Sequence, residues 1–141
     1  MKNNPILRII TKVLVPPILI LALYIQFHGD FGPGGGFQAG AIFATGIILY
    51  SMVFGMDKGR RIIPHKVLMW LSSGGLFLFT LVGVITMLFG GAFLEYNSLP
   101  FDQKTAQVVG IVTVEFGVGL TVTAVVLLVF FGFADFRKKL P

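Results

Sequence analysis

Four long apolar blocks separated by short polar connections dominate the chain, from about Leu7 to Phe27, Gly36 to Phe54, Val67 to Leu88 and Thr105 to Phe133. Within each block the apolar residues run on without the 3.6- or 2.0-residue spacing of a half-buried surface element. A run of roughly 18 or more such residues predicts a membrane span, because ~30 Å of hydrocarbon at ~1.5 Å per residue takes about 20 residues. The expected fold is therefore all-α, a single membrane domain over residues 1–141 with four transmembrane helices. Lys12 lies near enough to the start of the first block to snorkel to the interface. Pro16 and Pro17 predict a kink or loosened first turns there, which neighbouring helices can satisfy. The second block holds no charge, and the third follows Ile63-Pro64, where proline suits a first helical turn. The fourth is long enough to tilt or to extend past the bilayer.

Composition sharpens this picture. The chain is 55% hydrophobic and 12% charged over 141 residues, about half the charged share of an ordinary soluble domain. Charge placement then sets orientation. Lys2, Arg8, Lys12, Lys58, Arg60, Arg61, Lys66, Arg137, Lys138 and Lys139 fall on one side of the blocks, leaving only Lys104 of the 11 basic residues on the other. The positive-inside rule therefore predicts both termini in the cytoplasm, N-in and C-in, in the cell membrane. The net charge of +5 serves topology and is no nucleic-acid footprint, since no aromatic-interleaved basic patch accompanies it. The first block is expected to remain as an uncleaved span, because no A-x-A-like site follows it. Trp70 and Tyr50 toward the inside, and Tyr24 and Tyr96 toward the outside, read as interfacial belt residues.

One carboxylate stands inside an apolar block. Glu115 lies about ten residues in from the external end of the fourth span, roughly 15 Å deep at the helical rise and so near the midplane. An ionisable side chain at such a depth is costly and marks a functional site by default. In apolar surroundings the carboxyl can hold a proton at neutral pH and ionise when a cation or basic residue arrives, which suits a proton- or sodium-linked site. The other reading is a protonated Glu115 that hydrogen-bonds across a helix interface as an assembly anchor. Ala106 to Ala134 offers no basic partner, so a charged partner is expected from another subunit.

The connection after the first span concentrates His28, Asp30, Pro33, Gly34, Gly35 and Gly36. Gly34, Gly36 and Ala39 match G-x-G-x-x-A, but a dinucleotide fingerprint requires a strand before it, and here a membrane helix lies on each side. The segment reads instead as a backbone-rich external turn, shaped by Pro33 and the glycines. Its amides, at the start of the second helix, can hold water, a carboxylate or a neighbouring loop; a tight turn with no further role is the other reading. Small residues recur at helix-packing spacing as Gly36 and Gly40, Gly40 and Ala44, Gly117 and Thr121, and Gly119 and Thr123. They pack either these four helices or the faces of other subunits. The chain has no cysteine, and His28 has no second ligand at metal-site spacing. No cofactor, metal or catalytic residue is expected.

Two segments carry a family resemblance. His28-Gly29-Asp30-Phe31-Gly32-Pro33-Gly34-Gly35-Gly36-Phe37-Gln38-Ala39-Gly40 resembles the G-H-x-x-P-G-G-G-F-x-x-G signature of the B subunit of Mrp-type (also Mnh or Pha) multisubunit cation/proton antiporters. Val114-Glu115-Phe116-Gly117-Val118-Gly119-Leu120-Thr121-Val122 is similar to that family's acid-x-G-V motif in the last span, with glutamate where some members have aspartate. The resemblance implies a small non-catalytic subunit of a hetero-oligomer that exchanges cytoplasmic Na+ for external H+, helping to form the sodium and proton translocation module. Its partners would be the other subunits, the two ions and the bilayer. Two rivals stay open: a purely structural subunit, and the same subunit in the antiporter-like membrane arm of an energy-converting hydrogenase or sulfur-reducing complex.

Overall fold

Asn4 and Pro5 start the first helix two residues ahead of the apolar block. The Asn4 Oδ1 accepts hydrogen bonds from the backbone N–H groups of Ile6 (3.1 Å) and Leu7 (3.4 Å), and proline at the first helical position loses no bond. The computed structural model describes residues 4–28 and 35–139, so Asp30, Pro33 and Gly34 lie outside the described residues. Helix makes up 88% of the structure, and no strand occurs among the described residues. Helix α1 runs Pro5–His28 and keeps Pro16 and Pro17 in its interior. Helix α2 is Gly36–Phe54, α3 Met56–Ile62, α4 His65–Leu88 and α5 Gln103–Lys139. Four of these, α1, α2, α4 and α5, are long and apolar enough to cross a membrane.

The sequence pattern has no counterpart for α3. Gly55, at φ +108°, ends α2 in a conformation open mainly to glycine and starts the seven-residue α3 at once. Gly59 of α3 lies so close to Ser51 that a Cβ there would overlap the serine hydroxyl. The basic segment is thus folded back on α2 and not left as a loop. Arg60 then ties it to α5 by an ion pair with Asp135 and a 3.1 Å hydrogen bond to the Phe131 carbonyl.

The helices form a row in the order α1, α2, α5, α4, with α2 and α5 inside and more buried. The start of α1 and the last turns of α5 lie at one end of this row, as the contacts of Arg8 with Phe54 and Arg60 with Phe131 show. Toward that end the core is made of side chains: Ala44, Ile47, Leu68, Ala124, Leu127 and Phe131. Toward the other end α2, α4 and α5 meet through glycines and approach backbone to backbone.

The connection from 89 to 102 is folded over the far ends of α4 and α5. Buried Thr86 organises it: its hydroxyl donates to the Gly83 (2.8 Å) or Ala92 (3.1 Å) carbonyl and accepts from Leu94 N–H (3.0 Å). Its carbonyl also accepts from the Ser98 hydroxyl (3.1 Å). Asp102 caps α5 by accepting from the Thr105 N–H (3.3 Å), and hydrogen bonding to Thr105 holds its carboxyl below the usual aspartate range.

Candidate functional site

The two sequence segments that carry the resemblance meet at the first turn of α2. A Cβ on Gly36 would overlap the backbone carbonyl oxygen of Glu115, and one on Gly40 would lie 2.6 Å from the Gly119 carbonyl oxygen. The Thr123 hydroxyl donates to the Gly40 carbonyl (3.1 Å) and extends the same seam. On the opposite face of α5, a Cβ on Gly117 would lie 2.8 Å from the Gly75 carbonyl oxygen of α4. The Thr121 hydroxyl donates there to the Gly117 carbonyl (2.9 Å) or, across to α4, the Ser72 carbonyl (3.4 Å). The structure thus places Gly36, Gly40, Gly117 and Gly119 against helices of the same chain, where the sequence left open a neighbouring subunit.

This packing sets the place of the Glu115 side chain. Its Oε1 lies 3.3 Å, and its Cδ 3.9 Å, from the position a Cβ would take on Gly35, the residue just before α2. The carboxyl therefore rests at the N-terminal end of α2, where unpaired amides and the helix dipole favour negative charge. Gln38 brings its Oε1 within 3.5 Å of the same position. From α1, Gln26 presses its Oε1 against Gly119, one turn from Glu115. His28, at the end of α1, stacks on Tyr24 with ring centroids 4.4 Å apart.

Tyr96 completes the surroundings. Its place near a span end assigns it to the interfacial belt, but its ring lies on Gly110 of α5 and is half-buried. Burial raises the Tyr96 hydroxyl pKa above its ordinary value, and the negative charge of Glu115 adds to the effect. The charged neighbourhood of Glu115 thus includes a phenol from the connection before α5. Tyr96 and Gln26 become visible only through their partners, since an isolated Tyr or Gln at a span end is ordinary.

In the fold Glu115 is level with the first residue of α2. The reason is helix length: α5 has 37 residues and α2 only 19, so the first three turns of α5 project beyond α2. Glu115 stands at the step where α2 begins. An apolar groove of about 350 Å³ lies nearby, walled mainly by α1, α2 and α5 and closed by Ile63 and Leu71, with Gln26 and Thr123 as its polar wall residues.

Four membrane-length helices, with the Glu115 carboxyl beside the glycine-rich start of an inner helix, define a multi-pass membrane protein. Residues 6–128 match the family described as "Domain related to MnhB subunit of Na+/H+ antiporter", and the chain belongs to that family. It is 33% identical over 107 residues to a Bacillus subtilis (strain 168) protein named as the B subunit of a Na(+)/H(+) antiporter, a match spanning 73% of this chain and 74% of the relative. It is 32% identical over 94 residues to a Staphylococcus aureus (strain Newman) protein named for an antiporter subunit, mnhB2, spanning 67% of this chain and 66% of the relative. The family expected from the two motifs is the one found.

Proposed function

We propose that this chain, a subunit of a multisubunit Na+/H+ antiporter, supplies Glu115 as a protonatable, cation-attracting group on the ion path. The observation that carries this reading is the seat of the carboxyl 3.3 Å from the Cβ position of Gly35. There the carboxyl lies beside the N-terminal end of α2, and the oxygens of Gln38 and Glu115 gather at one point. Oxygen donors of this kind suit a hard monovalent cation. The step at the start of α2 would then be an external opening, shaped by Gly35, Gly36 and the connection that includes His28, Asp30, Pro33 and Gly34.

In this reading the termini face the cytoplasm of the cell membrane, supported by the ten basic residues at that end. The cargo is Na+ and H+, the partners are the other antiporter subunits, and the chain itself performs no bond-making chemistry. A scaffold role is the second reading. The exposed apolar faces of the outer helices favour it, with Phe27, Phe77 and Leu88 each at least 66% exposed.

The test is Na+-dependent ΔpH dissipation in inverted vesicles carrying the whole complex, wild type against Glu115→Gln, with assembly checked by native gel. Glutamine keeps size and hydrogen bonding but removes the titrating proton. Intact assembly with antiport well below wild type supports the ion-path role. Unchanged antiport assigns the chain to the scaffold.

A further inference from the structure

At the end of the row that carries the termini, opposite the Glu115 step, a second pocket lies where α1, α2 and α3 meet. It measures about 310 Å³ and is lined by Arg8, Val53, Phe54 and Lys58. Two walls are cationic, two are apolar, and no carboxylate is among its described lining residues. The Arg8 guanidinium is held 5.3 Å above the Phe54 ring, and Tyr50, one turn earlier on α2, stacks 4.7 Å from Phe54. The cation–π contact orients the planar guanidinium over the pocket without consuming its hydrogen-bond donors. Lys58 reaches the pocket from α3, the helix created by the glycine turn at Gly55. Along α1 the exposed side chains near Arg8 include the apolar Ile9, 64% exposed, and Val13, 66% exposed, with the exposed Lys12 one turn further on.

We infer that the pocket formed by Arg8, Phe54 and Lys58 binds the phosphodiester of an anionic phospholipid, with the acyl chains lying along α1. The chemistry is shared with any phosphate, but the position selects a lipid. Two cations at the end of two membrane-length helices face the headgroup layer, and the apolar surface beside them continues toward the hydrocarbon. Basic pockets between membrane helices hold lipid headgroups by this combination of charge and depth. The fork of Arg8 matches two phosphate oxygens, and the Lys58 ammonium adds a point charge. The pocket lies at the opposite end from Glu115, so this inference does not rest on the transport reading.

The experiment titrates the purified antiporter complex with phosphatidylglycerol, and separately with phosphatidylcholine of the same chains. Native mass spectrometry then reads lipid adducts on this subunit after its ejection from the intact complex. The wild-type subunit is expected to retain phosphatidylglycerol in preference to phosphatidylcholine. The Arg8→Gln/Lys58→Gln pair lowers that occupancy by at least about tenfold, and Arg8→Lys/Lys58→Arg largely restores it. If the neutral pair fails to assemble, the single Lys58→Gln, on an exposed side chain, carries the test with a drop of about threefold. Equal retention of the two lipids, no adduct on the wild-type subunit, or an adduct untouched by these substitutions overturns the inference. Displacement of the adduct by inorganic phosphate also overturns it and assigns the pocket to a free anion.

Discussion

Gly36 and Glu115 are in backbone contact across the α2–α5 seam, so close that a single added methyl on Gly36 would occupy the space of the Glu115 carbonyl oxygen. Half of that contact belongs to the external-turn segment and half to the last span. The position of the carboxyl therefore depends on a glycine 79 positions earlier in the chain. Packing and chemistry cannot be separated at this point, and each part of the arrangement has its own measurable consequence.

Gly36→Ala is expected to force α2 and α5 apart, at a cost of at least about 1–3 kcal/mol from overpacking. Gly74→Ala is the matched control. A Cβ on Gly74 meets nothing within 4 Å, and alanine in an exposed helix interior is neutral or stabilising by up to about 1 kcal/mol. Thermal unfolding of the purified complex, followed by release of this subunit, should fall for Gly36→Ala and hold for Gly74→Ala. Equal effects would mean that the seam is looser than its geometry shows.

Tyr96 carries the pH signature of the site. Its hydroxyl pKa is raised by burial first and by the Glu115 charge second. A pKa raised on folding contributes stability that is complete below the unfolded value of 10.0 and is lost as pH climbs through the folded value. Tyr96→Phe should therefore flatten the fall in stability above about pH 10. Glu115→Gln should move the Tyr96 titration down toward the ordinary range while leaving the burial contribution in place. Ultraviolet titration of tyrosinate in wild type and the two variants checks both, and an unmoved Tyr96 in Glu115→Gln would break the proposed link.

Thr86→Val removes the hydroxyl that accepts from Leu94 N–H and donates toward Ala92 or Gly83. The shape is kept, but the Leu94 amide loses its acceptor, at a cost of about 1–3 kcal/mol for a buried group. Leu94 sits at φ +64°, a conformation that a leucine keeps only while its surroundings impose it. Amide hydrogen exchange should quicken at Leu94 and through residues 92–98, which also carry Tyr96. Protection unchanged in this segment would show that the backbone bonds of the connection suffice without Thr86.

Much of the architecture was legible because hydropathy is a local property. Leu7 to Phe27 or Val67 to Leu88 must cross a membrane wherever its neighbours lie, and Glu115 stands out because a charge in such a block is costly. The helix ends were less legible. Asn4-Pro5 advances α1, and Gly55 converts a basic connection into α3, through capping and backbone conformation that span counting ignores. The small-residue spacing of Gly36 and Gly40, or Gly117 and Gly119, announced close packing without naming a partner.

Residue order alone was enough for four membrane-crossing helices, the end at which basic charge gathers, the family, and the one carboxyl inside an apolar block. It took the packed helices to establish that α2 and α5 are the inner pair. The same packing turns Gly36 toward Glu115 and Gly117 toward Gly75, and folds Tyr96 inward over Gly110. Hydrophobicity is carried by each segment separately, whereas glycine contacts and the field of a carboxyl depend on which helix surfaces meet. Relative helix length then sets the level of Glu115 in the row: the 37 residues of α5 against the 19 of α2 put it beside the start of α2.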